Sequence, residues 1–307
     1  EMMGDVPFRH VVIHSLIHAP EGGRMSKSLG TGMNPLAAIE TYGADATRYG
    51  LMKMASSQDV RFSEGAIEEG RKLANKLWNV SRLILQASEG ATPREEPATL
   101  EERWILGRLS QAQRELERLL GEFDFSHVSA ELYRLTFDDF CDWYAEAIKP
   151  RLYAGDAGTR ATALAALERL LKILHPVMPH VTEEIWSNLP MRATRLIVAP
   201  WPSPADERDA GALEHVQEAA RTFRRSGVLP TKLEGEERRI FDAVVKPERQ
   251  RANGNVEAER ARLRGEIERA EKMLANERFV ANAPANVVAA ERAKLERYRR
   301  ELEAISD

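Results

Sequence analysis

The chain of 307 residues contains one cysteine, Cys141. A single thiol excludes an intramolecular disulfide framework and a multi-cysteine zinc site. No stretch approaches the roughly 18 consecutive apolar residues of a membrane-spanning helix. Residues 1–20 lack the basic, apolar and small-residue segments of a secretory signal, and the first residue is Glu1, not Met. These absences point to a cytoplasmic protein with no membrane partner, and the abrupt start to a piece of something longer. An excess of positive charge is missing too, because Lys and Arg total 44 against 48 Asp and Glu, a net charge of −4. Strong global attraction to nucleic acid is therefore excluded, and any such contact must rest on a local basic patch. What the chain does have is 43% hydrophobic residues, enough to argue against wholesale disorder and to bury at least one full core.

Residues 11–17 (VVIHSLI) are β-branched and apolar and predict one buried strand. No parallel-sheet partners follow, so the rest of its sheet is expected upstream. A glycine-rich loop then surrounds Met25-Ser26-Lys27-Ser28. Asn34 and Pro35 suit a helix start that Gly43 stops, and 44–55 predicts a second short helix. Asp59–Phe62 is extended, and Ser63 caps a long helix with the stripe Ile67, Leu73, Leu77, Val80 and Ile84. The polar, proline-containing stretch 88–99 is a linker. Four helical stripes follow between 100 and 190, the second built on Val128, Leu132, Leu135, Phe140 and Trp143. They predict an antiparallel bundle. Leu196-Ile197-Val198 reads as a short strand within a linker. From about 256 the apolar residues Leu263, Ile267, Ala270 and Leu274 run 4-3-4, and the stripe resumes at Val288, Leu295, Tyr298, Leu302 and Ile305. Two seams of similar length with a turn over 276–286 predict an antiparallel coiled-coil hairpin.

The strongest chemical signal is Gly22-Gly23-Arg24-Met25-Ser26-Lys27-Ser28-Leu29-Gly30. Glycines let backbone amides approach an anion, and Arg and Lys neutralise phosphate charge. Composition alone fits a solvated surface loop equally well. The order of the residues resembles the Lys-Met-Ser-Lys-Ser signature of class I aminoacyl-tRNA synthetases, with Arg24 at the first lysine position. Tyr42-Gly43-Ala44-Asp45-Ala46-Thr47-Arg48-Tyr49, Gln58–Ser63 and Ala74-Asn75-Lys76-Leu77-Trp78-Asn79 resemble the stem-contact region of that class. Phe140–Tyr144, Lys149–Leu152 and His175–Trp186 resemble its helical anticodon-binding domain. Leu274-Ala275-Asn276-Glu277-Arg278-Phe279-Val280-Ala281-Asn282-Ala283-Pro284 is similar to the C-terminal arm of valyl-tRNA synthetases. The first class I signature, most of the nucleotide-binding sheet and the inserted editing domain have no counterpart here.

The resemblance implies a mainly α chain. A remnant of a Rossmann α/β catalytic domain would span 1–34, a stem-contact helical region 35–90, an anticodon-binding helical bundle 91–205, a linker region 206–255 and a coiled-coil tRNA-binding arm 256–307. It implies valine–tRNA ligase chemistry in the intact enzyme, with valine, ATP, Mg²⁺ carried by the ATP, and valine tRNA as partners, in a monomer. Lys27 would stabilise charge on the departing pyrophosphate, with Arg24, Met25, Ser26 and Ser28 shaping the ATP loop. Lys149, Arg151 and Arg278 are candidate tRNA contacts. Two rival readings remain at this point: a stand-alone tRNA-binding module without catalytic activity, and a structural coiled-coil protein that self-associates through 256–305.

Other residues have plainer explanations. His14 and His18 sit on strand and loop without the glutamate of a metalloprotease motif, so no metal site is expected. Asp138, Asp139 and Asp142 suit a solvated helix face, and Glu183 and Glu184 the first turn of a helix. Cys141 and Trp143 fall on an apolar stripe and predict core positions. Lys149 and Arg151, near a helix end, suit either the RNA backbone or the helix dipole. Most arginines of the hairpin suit i,i+4 pairing with its glutamates.

Overall fold

The computed structural model describes residues 4, 6–26, 28, 30–55, 58–190, 194–203, 206–275, 294–299 and 302, with helical backbone alone at 246–262 and 266. The chain divides into two units, Glu1–Val244 and Val245–Asp307.

The first unit begins with a two-residue parallel strand pair, β1 (Ile17–His18) on β2 (Val60–Arg61). Helices α1 (Pro35–Tyr42) and α2 (Ala44–Lys53) lie between the two strands in sequence, and α3 (Glu64–Ala87) follows β2. The caps are those the sequence predicts. Asn34 Oδ1 accepts from Leu36 N–H, Gly43 ends α1 at φ 92°, and Ser63 Oγ accepts from Ala66 N–H. Helices α2 and α3 cross through two glycines. A Cβ on Gly50 would lie 2.9 Å from the Ile67 Cα, and one on Gly70 2.9 Å from the Ala46 carbonyl oxygen.

The bundle contains α4 (Leu100–Gly121), α5 (Phe125–Tyr133), a π-helical segment (Arg134–Tyr144), α6 (Ala145–Tyr153), α7 (Ala157–Leu174) and α8 (Pro179–Trp186). Its core includes Trp104, Leu109, Phe140, Ile148, Leu167 and Leu171, all essentially inaccessible. Cys141 and Trp143 are buried as expected, and burial pushes the Cys141 thiol up to about 12. The π segment contains the step of five from Leu135 to Phe140 in the second stripe. Residues five apart lie above one another there, so Phe137 and Asp142 both reach Lys76, whose Nζ is 3.2 Å from the ring centroid and 2.6 Å from Asp142 Oδ1.

Three expectations change. Residues 11–16 are not strand, and Val11 and Ile13 are 78% and 89% exposed, because among the described residues only Val60–Arg61 offers β1 a ladder. Leu196–Val198 is a 3₁₀ turn whose first amides bond to Glu183, and neither Glu183 nor Glu184 lies in the first turn of α8, so Glu183 caps a turn and does not complement a helix dipole. The stretch 206–255, read as linker, holds α9 (Glu214–Ser226) and the start of α10 (Gly235–Ala275). Helix α9 packs Val216 and Ala220 inward, and its Phe223 meets Phe241 edge to face.

In the second unit, Leu263, Ala270 and Leu295 are buried and Ile267, Leu274 and Tyr298 half-buried. Arg299 pairs with Glu271 at 2.7 Å, which lays the helical stretch 294–299 beside α10. The apolar seam faces inward as the heptads predict. The turn expected over 276–286 lies outside the described residues.

Candidate nucleotide loop and nucleic-acid interface

The signature loop is built on the β1–β2 pair. Ala19 N–H donates to Gly23 O (3.0 Å) and Gly22 N–H to Ala19 O (2.8 Å), closing a turn directly after β1. Gly22 and Gly23 adopt φ 97° and 79°, a conformation that L side chains rarely adopt. Arg24 then bridges back to His18. Met25 and Met33 both pack on the apolar cluster of Ala38, Ala46, Met54, Phe62, Ala66 and Ile67. These two methionines anchor the loop's stems.

Between the stems, Thr31 closes the tip. Its Oγ1 accepts from Ser26 N–H at 3.0 Å, and its own N–H donates to Ser26 O at 3.1 Å. Ser26 Oγ and Ser28 Oγ are 2.9 Å apart. Arg24 and Ser28 are exposed, and Arg24 has no acidic partner among the described residues. Lys27 lies outside the described residues, between these two serines in sequence. The arrangement presents hydroxyls and a cation on a short loop with fixed ends, a geometry that suits an anionic ligand. Thr31 was not singled out from the sequence, although a hydroxyl five residues after Ser26 in a glycine-rich loop is the available signal.

A second feature is an open cavity of about 360 Å³ between α3 and α8. Trp78, Arg82, Leu85, Gln86, Ile185 and Asn188 line it, and the Ser81 hydroxyl beneath is buried without a partner among the described residues. Trp78 is 41% exposed, high for a tryptophan on a packed helix. Arg82 is exposed and has no ion pair among the described residues. An aromatic face, an uncommitted guanidinium and two amides suit an unstacked base. The sequence offered Trp78 as part of a motif, and its place one residue past Leu77, off the buried stripe, is the available sign that it opens toward solvent.

The predicted RNA contacts separate. Lys149 pairs with Glu146 on its own helix. Arg151 is committed internally, with Nη1 3.0 Å from both Thr99 Oγ1 and Glu102 Oε1 and Nη2 3.0 Å from Asp156 Oδ1. The fully buried Glu102 carboxylate holds it, so neither phosphate contact nor the helix dipole describes this residue as well as a buried ion pair does. Arg278 lies outside the described residues. Asp139 also departs from expectation. It is buried, and Arg108 donates to its Oδ2 through Nε at 3.0 Å and Nη2 at 2.8 Å. Asp138 is pushed up by burial, then by the neighbouring Asp139 and Asp142.

Comparison with known proteins draws these pieces together. Residues 1–63 match the model for class I tRNA synthetases (I, L, M and V), and residues 102–240 that for the anticodon-binding domain of tRNA ligase. Residues 246–307 match the valyl tRNA synthetase tRNA binding arm. The valine–tRNA ligase of Enterococcus faecalis is 34% identical over an alignment covering 100% of this chain and 42% of the relative. The chain belongs to the valyl-tRNA synthetase family. The valine–tRNA ligase of Carboxydothermus hydrogenoformans is 42% identical over 66% of this chain and 24% of its own length. The chain thus spans less than half the length of these relatives. LeuRS of Agrobacterium radiobacter K84, solved with tRNA and LeuAMS, shares the fold with a TM-score of 0.51 and 21% identity, covering 64% of this chain and 24% of that one.

Within this valyl-tRNA synthetase chain, two segments that resemble family motifs meet directly. Asp45 of α2 accepts from the His180 and Val181 amides at 3.1 and 2.6 Å, capping α8 from outside. Arg48 donates to Val177 O and Pro176 O at 3.2 and 3.1 Å. These four bonds join the first helices to the anticodon-binding domain across some 130 residues of sequence. Among the described residues no three His, Cys, Asp or Glu side chains converge as a metal site, and no helix is long and apolar enough to cross a membrane.

Proposed function

We propose that this chain supplies the ATP loop and the tRNA-binding helical domains of a valine–tRNA ligase, acting as a cytoplasmic monomer. The observation that carries the reading is the order of three matched segments along one chain, class I catalytic, anticodon-binding and valyl arm, with a built loop inside the first. In that reaction the valine carboxylate attacks the α-phosphate of ATP, pyrophosphate leaves, and a terminal ribose hydroxyl of valine tRNA then attacks the carbonyl of the valyl-adenylate, releasing AMP. Lys27 stabilises the developing pyrophosphate charge. Met25 and Met33 pack the stems of the loop on the apolar cluster, and Thr31 clasps Ser26. Arg24, Ser26 and Ser28 complete the phosphate-facing edge. Mg²⁺ comes with the ATP phosphates and neutralises part of their charge, without a dedicated protein cage.

The Trp78 cavity and the hairpin serve the RNA. Stacking on Trp78 and bonding to Arg82, Gln86 and Asn188 would hold one unpaired base, worth about 1–3 kcal/mol for the stack. Lys149, with Arg278, remains a candidate for backbone contact. The isolated chain binds tRNA without charging it, since the catalytic match covers only residues 1–63.

The test has two arms. Lys27→Ala in the ligase that carries this segment should slow ATP–pyrophosphate exchange by about 100-fold or more, the scale of one lost transition-state donor, with tRNA affinity kept. Equal loss of both would remove Lys27 from the ATP. The present chain should bind valine tRNA more tightly than an unrelated tRNA, with affinity falling as salt rises. Equal weak binding to both would place discrimination elsewhere.

A further inference from the structure

The strand pair that carries the signature loop has two unlike faces. Ile17, Val60 and Met25 pack on the apolar cluster. Their neighbours His18, Arg61 and Arg24 must then point the other way, since successive residues of a strand alternate. Register makes this a row. His18 pairs with Arg61 across the parallel ladder and with Arg24 across the antiparallel bridge. Three basic side chains therefore stand side by side on the outer face, at the root of the loop. Arg61 leans toward the turn, with Nη2 3.8 Å from where a Gly22 Cβ would sit.

Among the described residues one acid, Asp59, adjoins this row. Asp59 Oδ1 accepts from Leu16 N–H at 2.8 Å, and its Oδ2 lies 3.1 Å from His18 Nε2. Neither arginine has an acidic partner among the described residues, and both are exposed. Asp59 thus aligns the histidine and leaves two guanidinium groups uncommitted on either side of it.

We infer that Arg61, with His18 and Arg24, forms a phosphate-binding row that extends the signature loop's cationic edge onto β2. Its ligand is a phosphate oxyanion, from the polyphosphate of a nucleotide or from an RNA backbone. A guanidinium binds such a group through two parallel N–H donors, which fixes orientation as well as charge. The inference rests on reading residues 24–28 as the nucleotide loop, and Arg61 is the member that reading does not include.

The experiment is calorimetric titration of the intact 307-residue chain with inorganic tripolyphosphate, and separately with a short RNA hairpin at fixed salt. Arg61→Ala and Arg61→Gln are compared with Lys27→Ala, and circular dichroism checks that each variant keeps its helices. A loss of about tenfold or more in tripolyphosphate affinity in both Arg61 variants supports a nucleotide-facing row, on the scale of one charge-assisted pair. A matching loss for the RNA alone supports the same site with backbone phosphate as its source. Unchanged affinity for both probes, or no binding by the parent chain, overturns the row. Loss in Lys27→Ala with Arg61 silent would keep the loop reading and discard this inference, and the reverse pattern would keep the row and remove Lys27 from the phosphate.

Discussion

The Arg151 guanidinium holds Glu102, a carboxylate with 0% exposure that also takes the Ala98 and Thr99 amides and the Thr159 hydroxyl. Truncating one partner of a buried pair leaves the other charge uncompensated. Arg151→Ala should therefore destabilise the first unit by about 3 kcal/mol in urea unfolding, and lysine at 151 should recover only part, since an ammonium cannot fork between Glu102 and Asp156. A change under about 0.5 kcal/mol, the scale of an ordinary surface substitution, would show the pair to be a surface one. His175 gives a pH prediction. Burial lowers its pKa, with Glu183 and Asp45 opposing, and its Nδ1 is 2.8 Å from Thr182 Oγ1. The unfolded chain binds this proton first, near pH 6.5. The stability contributed by the neutral ring is thus complete above that pH and is lost as pH falls toward the lower folded value. Stability measured from about pH 7.5 down to about pH 5, the range that brackets an ordinary histidine, should fall less steeply in His175→Gln. Parallel slopes would contradict the assignment.

At the scale of elements, most of the helical order was legible because caps and stripes are local. Asn34 and Ser63 mark starts, and the helices of the bundle bury the stripes their periodicity indicates. The π segment was legible only as an irregularity, the step of five from Leu135 to Phe140 in a stripe that otherwise advances by three or four. Which partner demands that widening, Lys76, depends on packing and not on the segment's own residues. The fate of Asp139 was hidden for the same reason, since Arg108 lies 31 residues away. The α2–α3 crossing gives a contrast in sign between two glycines of one helix. Gly70→Ala puts a methyl 2.9 Å from backbone and should cost about 1–3 kcal/mol through overpacking. Gly65→Ala meets only the Ser63 hydroxyl at 3.5 Å and should stabilise by about 0.5–1 kcal/mol through helix propensity. Thermal unfolding of the two variants should move in opposite directions. Movement in the same direction would mean that α2 shifts to make room at Gly70.

For the whole molecule, long-range pairing decided what the sequence could not. The apolar run 11–16 carries every local sign of a buried strand, yet burial needs neighbours on both sides, and the described residues provide one two-residue ladder. The hairpin was legible because its repeat contains its own partner. Leu263, Ala270 and Leu295 are buried, and Arg299 meets Glu271 across the seam. That internal pairing bears on function. Acids in 256–307 balance the cations, so an arm of this composition has no net pull on RNA and must act through arginines left outside its own ion pairs. Each phosphate that such residues neutralise steepens the dependence of log affinity on log salt by about 0.9. Deleting 256–307 should therefore weaken binding to valine tRNA and flatten that slope by about 0.9 for every phosphate the arm neutralises, while sedimentation of the chain stays that of a monomer. Unchanged affinity and slope would remove the arm from the RNA. A shift from dimer to monomer on deletion would show that the apolar seam pairs between chains.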